Sequence, residues 1–177
     1  MKTYKIFFVL IIIFISCLIA CNKKQKKHID LSKTTELKSI VYNFDNPPKF
    51  RKDGELMFLN PKNDTLFHIN TEIVSSDTEK ERGLMFRPEM EENNGMLFVM
   101  DSERIQSFWM HNCIISLDII YVNSDYEIVD IYKNTNTQDD RSLPSAKPAK
   151  YTVEINAGLC DKYNIKIGDK IKLLQKI

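Results

Sequence analysis

Leu66-Phe67-His68-Ile69-Asn70-Thr71-Glu72-Ile73-Val74 puts Phe67, Ile69, Thr71 and Ile73 on one side at a period of two, and His68, Asn70 and Glu72 on the other. That alternation is a half-buried strand, and shorter runs of the same kind surround it. Upstream, Asp53-Gly54 is a turn signal ahead of a strand from Glu55 to Leu59. Downstream, Ser76-Asp77-Thr78-Glu79 has the form of a capping box that opens a short helix, and Pro88 limits its far end. Asn94-Gly95 reads as a turn, followed by apolar runs Met96 to Met100 and Ile105 to Met110. Leu117 to Val122 and Tyr126 to Tyr132 flank Asn123-Ser124-Asp125 as a hairpin. Asn134 to Pro148 is a polar loop, and Tyr151 to Ile155 alternates again. Asn156 is placed to cap a short helix through Tyr163, and Gly168-Asp169 precedes a last strand, Lys170 to Leu174. With about eight short strands, two short helices and no long helix between strands, the pattern predicts a mainly β, mainly antiparallel sandwich or squashed barrel.

The first 20 residues have the three parts of an export signal: Lys2 and Lys5, then an apolar run, then a small residue before a cysteine. The apolar stretch from Ile6 to Ala20 is 15 residues, short of the roughly 20 that span a bilayer as a helix. Leu18-Ile19-Ala20-Cys21 resembles a bacterial lipobox, which makes Cys21 the expected lipidated first residue of a mature lipoprotein. Residues 1–20 are therefore expected to be a signal peptide and residues 21–49 a lipidated cysteine with a polar, Lys-rich tether closed by Asn46-Pro47-Pro48. Residues 50–177 are expected to be a single β domain. Cleavage leaves 23 basic against 24 acidic residues, a net charge of −1 in place of +1. Neither balance suits a nucleic-acid binder. The expected setting is the cell envelope, and Asn22 in place of an Asp after the lipidated cysteine favours an outer membrane, facing the periplasm, if the cell has two membranes.

Five stretches stand in a distinctive order. They are Glu81-Arg82-Gly83-Leu84-Met85-Phe86-Arg87; Asn94-Gly95-Met96-Leu97-Phe98-Val99; Ser107-Phe108-Trp109-Met110-His111-Asn112 with Leu117-Asp118-Ile119-Ile120; Tyr151-Thr152-Val153-Glu154-Ile155-Asn156-Ala157-Gly158; and Ile167-Gly168-Asp169. Together, over about Phe50 to Leu174, they resemble the family called domain of unknown function 192. The resemblance implies a compact, mostly β domain, commonly exported, without an established activity. His111 stands where that family usually has Lys, Cys113 where it has Thr, and Cys160 where a small residue is usual. The loop from Asn134 to Pro148 lacks the cysteine pair some relatives carry.

The chemistry-bearing residues each admit two readings. As a strand, Ser107 to Cys113 would set Phe108, Met110 and Asn112 against Ser107, Trp109, His111 and Cys113. Trp109 is then either core or a ligand-stacking ring beside a polar handle. Asn112 and Asp118 flank a tight turn, where they bind a ligand group or satisfy backbone N–H groups. Asp118, directly before an apolar strand, is the first candidate for a catalytic carboxylate, with Glu154 or His111 as its partner. Glu72 and Glu154 each interrupt an alternating strand, and Arg82 and Arg87 flank Gly83 to Phe86. A Glu–Arg pair would be structural when packed, and would suit a polar or anionic ligand when open to a cleft.

Cys113 and Cys160 pair as a disulfide or remain two buried thiols; a Cys113 nucleophile with His111 is the third possibility. His68, His111 and the thiols lack zinc-ligand spacing, so no metal site or cofactor is expected. Met85, Met90, Met96, Met100 and Met110 read as core filling, with soft Cu(I) ligation as the alternative. The expected function is a non-catalytic envelope module that binds a small polar ligand or an envelope protein. An envelope hydrolase using Asp118 with Glu154 or His111, or a scaffold without a pocket, are the alternatives.

Overall fold

The computed structural model describes residues 43–174; the expected signal peptide, Cys21 and most of the tether lie outside the described residues. Seven strands form one sheet in the order β6-β5-β8-β3-β2-β1-β9: β1 Gly54–Leu59, β2 Thr65–Val74, β3 Asn94–Arg104, β5 Leu117–Val122, β6 Ile128–Tyr132, β8 Ala149–Asn156 and β9 Lys170–Leu173. The remaining two, β4 Ser107–Phe108 and β7 Leu143–Pro144, pair with each other. The two ends of the large sheet meet. The Ile128 N–H donates to the Asp169 carbonyl at 2.8 Å and the Ile171 N–H to the Tyr126 carbonyl at 2.9 Å, beside a Glu127–Lys170 bridge. Closing the sheet removes its exposed edges. The domain is mainly β, a squashed barrel with two short helices, α1 Asp77–Arg82 and α2 Leu159–Lys162.

The alternation in β2 sorts residues as the sequence implies. Phe67 and Ile69 enter the barrel interior with Leu56, Phe58, Leu97, Ile120, Val153 and Ile155. The opposite face of β2, β3, β8 and β5 is also covered. Val74, Met96, Phe98, Ile119 and Tyr121 pack there beneath Leu84, Met85, Met110 and Cys113 from the loops. The sheet thus has an apolar layer on both faces, which is why β5 is buried at all six positions.

Several elements differ from expectation, each for a local reason. β2 and β3 are parallel, joined by the crossover that contains α1, whereas the other neighbours in the large sheet are antiparallel. Ser76 caps α1, accepting from the Glu79 N–H and donating to its carboxylate at 2.8 Å. The helix stops at Gly83, whose φ of 47° ends it before Pro88 is reached. Gly95 is inside β3 and makes no turn: a Cβ there would lie 2.8 Å from the Glu154 carbonyl oxygen and 2.8 Å from Ile69, so only glycine permits this approach. The run from Ile105 to Met110 yields only the two residues of β4, because the chain turns at His111-Asn112, with Asn112 at a φ of 54°. Gly158, not Asn156, stands at the start of α2, and the Asn156 amide instead donates to the Met90 carbonyl at 2.7 Å. Pro48 is buried, so packing against the barrel begins within the stretch expected to end the tether.

Candidate functional site

Strand register fixes which groups share the outer face of the sheet. Asn70 pairs with Asn94 and Glu72 with Met96, and Met96 in turn pairs with Glu154, which pairs with Ile119. Partnered residues point to the same side, so Glu72 and Glu154 flank Met96 in one row, two strand spacings or about 10 Å apart at the backbone. Asn70, Asn94 and Asn156 stand in the adjacent row, two residues along each strand. Over this face runs the loop after α1. Its backbone is turned by Gly83 and by Phe86, at a φ of 66°, and the Phe86 N–H is held at 3.0 Å by the Asn112 carbonyl.

That loop delivers Arg87 into the layer, where it is 3% exposed. Its Nη2 donates to Glu72 Oε2 at 2.9 Å and its Nη1 lies 2.6 Å from Oε1, while its Nε has no partner. Glu154 is 4% exposed. Burial pushes its carboxyl up to about 8, against the opposing pull of Arg87. Thr152, two residues back on the same face of β8, is also buried, and its hydroxyl has no partner. Burial, with Glu154 second, pushes the Cys113 thiol up to about 12, which leaves it inert as a nucleophile.

A cleft of about 800 Å³ opens beside this cluster. One wall is Asn46 to Phe50, and the other is Arg87 to Glu91 with Asn70 and Asn94. The first wall is steadied by Phe44, which packs edge-on against Phe86 with ring centroids 5.2 Å apart. The second is tied to α2, where Lys162 and Tyr163 both donate to Glu92 at 2.6 and 2.5 Å.

The residues singled out from sequence do not all converge. Arg87 and Glu154 share the outer layer, and Asn112 reaches it only through its carbonyl, which holds the Phe86 N–H. Glu72, which the sequence offered as one half of a Glu–Arg pair, completes it with Arg87. Asp118 faces the opposite way, into the barrel. Its two oxygens accept the Asn134 and Cys160 N–H groups, both at 2.8 Å, locking the loop after β6 and the start of α2 to β5. Adjacent register positions on opposite faces cannot act as a pair, so the Asp118–Glu154 catalytic arrangement does not form. Asp118→Ala should therefore cost about 2 kcal/mol, through the buried Cys160 N–H and the part-buried Asn134 N–H left without acceptors. The midpoint of chemical denaturation measures it.

Trp109 is 45% exposed, stacked on His111 with centroids 4.9 Å apart, and is not core. His111 lies 2.6 Å from Asp140, away from Asp118. Arg82, in the last turn of α1, does not line the cleft. Cys113 and Cys160 are both free and buried on opposite sides of the sheet, one in each apolar layer, so no disulfide joins them. The turn at His111-Asn112 breaks the alternation and swings Cys113 inward beside Met110, away from Trp109. Met85, Met96 and Met110 fill the outer layer, with Met90 and Met100 packed against it. Among the described residues no group of three His, Cys, Asp or Glu side chains is placed to hold a metal ion.

The family model for domain of unknown function 192, described as uncharacterised, matches residues 59–173. The chain belongs to this family. Domain-192 relatives include a UPF0127 protein of Thermococcus sibiricus, 29% identical over 117 residues, spanning 65% of this chain and 73% of that protein. Two solved structures are similar. One, a protein of unknown function from Novosphingobium aromaticivorans, is 33% identical with a TM-score of 0.63, over 67% of this chain and 83% of the other. The second, a candidate transcription regulator of Sinorhizobium meliloti, is 25% identical with a TM-score of 0.67, over 71% and 98%. The matched region contains every member of the Glu72, Arg87, Thr152 and Glu154 cluster.

Proposed function

We propose that this domain-192 protein is a non-catalytic, lipid-tethered module of the cell envelope whose cleft binds a small polar ligand. The observation that carries the reading is the placement of Arg87, a buried guanidinium in the wall of an 800 Å³ cleft. Asn70 and Asn94 line the same cleft. Concave sites with a few convergent polar groups on rigid strands are where small ligands bind. The Asn70 amide donates to Asn94 at 3.4 Å, and the remaining amide groups of both residues are available to a ligand. The envelope setting and the lipid on Cys21 rest on the signal-like start and the lipobox-like Leu18 to Cys21. A role on DNA, which the name of the Sinorhizobium protein suggests, finds no support in a formal net charge of +1.

The test is equilibrium dialysis of the purified full-length chain, in detergent, against a small-molecule extract of bacterial envelope, read by mass spectrometry. One or a few polar compounds should concentrate with the protein, unchanged in mass, and Asn94→Ala should abolish their retention. Conversion of a retained compound to a new product would show an enzyme and overturn the non-catalytic reading. Absence of any retained compound would overturn ligand binding.

A further inference from the structure

We propose that the outer face of the β4–β7 ribbon is a second binding site, which takes an uncharged saccharide with Trp109 as its stacking platform. The chain's single tryptophan is 45% exposed, although rings of this size are ordinarily well buried. Burial alternates along this stretch. Gln106 and Met110 are buried and Phe108 is half-buried, whereas Ile105, Ser107 and Trp109 are exposed. The inner side chains fix the ribbon to the sheet. Phe108 packs edge-on against Phe98 with ring centroids 4.8 Å apart, and Gln106 Nε2 donates to the Ala149 carbonyl at 3.0 Å. Beyond the paired residues, the Met110 N–H donates to the Asp139 carbonyl at 2.9 Å and keeps the two segments together. The exposed indole therefore stands on a rigid base.

Its surroundings are polar and oriented. His111 stacks on one face of the indole, and its Nδ1 lies 2.6 Å from Asp140 Oδ1. These contacts set the plane of the ring and leave its exposure to the other face and the edges. With Nδ1 on the carboxylate, Nε2 lies on the far side of the imidazole, and the exposed Asp140 keeps a second oxygen as an acceptor. Across the ribbon, the exposed Ser107 and Ser142 hydroxyls are 2.6 Å apart. Each serine is engaged by the other, so neither is presented to His111 as a nucleophile. The face is built to bind and not to react.

A pyranose has the matching two-sidedness. Its axial C–H bonds make an apolar face that seats on an indole, and its equatorial hydroxyls radiate to donors and acceptors around the ring. The charges select an uncharged sugar. Arg141 is held by Asp139, with Nε 2.9 Å from Oδ2, and His111 by Asp140, so neither cation of the ribbon is left for an acidic sugar. The same balance disfavours an anionic lipid surface, which attracts a basic excess. None of these residues lines the cleft, so the two sites stand or fall separately.

The test uses the full-length chain reconstituted in phosphatidylcholine vesicles, where tryptophan emission reports on Trp109 alone. Cellotetraose, maltotetraose and chitotetraose are the probes, with sorbitol as an open-chain polyol. At least one of the three saccharides should change the emission saturably, with a Kd of about 10 mM or tighter, and should shield the indole from acrylamide quenching. Sorbitol should do neither. Tetragalacturonate, an acidic saccharide, should bind more weakly. Trp109→Ala and Asp140→Ala, read by calorimetry, should each weaken binding at least about tenfold while the far-UV circular dichroism spectrum stays that of the parent. No response to any of the three saccharides, an equal response to sorbitol, or full binding by Trp109→Ala would overturn the proposal. Tighter binding of tetragalacturonate would overturn the uncharged assignment. Quenching of Trp109 by brominated acyl chains in the same vesicles would assign the face to the bilayer instead.

Discussion

Raising the pH from about 5 to about 8 should cost the native protein several kcal/mol through Glu154 alone, at about 1.4 kcal/mol per pH unit. In the fold, burial holds this carboxyl up to about 8, whereas its ordinary value is 4.5. Between those limits the folded chain keeps a proton that the unfolded chain has released, so the folded state is increasingly disfavoured as pH rises. Below the lower limit both states are protonated and there is no cost; above the upper limit the cost is complete. Other carboxylates act in the opposite sense at the acid end. Asp139, beside Arg141, is held down to about 2, and its contribution is lost as pH falls below the ordinary carboxylate range. The decisive quantity is therefore a difference. Glu154→Gln and the parent chain, melted side by side, should converge near pH 4.5 and diverge steadily toward pH 8, with the variant the more stable. Parallel curves over this range would mean that Glu154 is solvated or has a partner.

Part of this site is legible in the sequence alone. Period-two alternation from Leu66 to Val74 puts Glu72 and Asn70 on the face opposite Phe67 and Ile69, and the fold keeps them there. Glu154 stands out because it breaks an otherwise apolar alternation. Alternation does not show that this second face is covered as well, because its cover comes from loops, whose path depends on tertiary contacts. Leu84, Met85 and Arg87 reach the sheet through a crossover between two parallel strands, and periodicity carries no information about strand order.

Asp118 and Glu154 resemble a pair in sequence because each is a lone acid in an apolar run. Their faces depend on a register that only the β5–β8 pairing sets. Trp109 and Cys113 fall on one side only if a strand extends through His111-Asn112. The strand stops at Phe108, and the left-handed Asn112 then turns the chain between Trp109 and Cys113. The thiols part for the same reason: whether two cysteines share a layer is a property of the whole sheet.

Arg87→Met should be the most damaging single substitution among the site residues, costing about 3–5 kcal/mol. For a domain of this size that is roughly a 10–15 °C fall in the thermal midpoint, readable by far-UV circular dichroism. The cost does not come from losing attraction. Removal of the guanidinium leaves Glu72 ionised or forced to protonate in a layer where its residue is 2% exposed, and Glu154 loses the one charge that opposes its desolvation. The companion experiment separates this from loss of packing. Glu72→Met combined with Arg87→Met removes both halves of the pair and fills the volume with apolar atoms. The double variant should be more stable than Arg87→Met alone and close to the parent chain, because a buried ion pair contributes little net stability against a well-packed apolar replacement. A double variant no better than the single would show that Arg87 matters for its shape alone. If the double variant folds and yet no longer retains a ligand, the pair is kept for binding, at a place where stability alone would have chosen methionine.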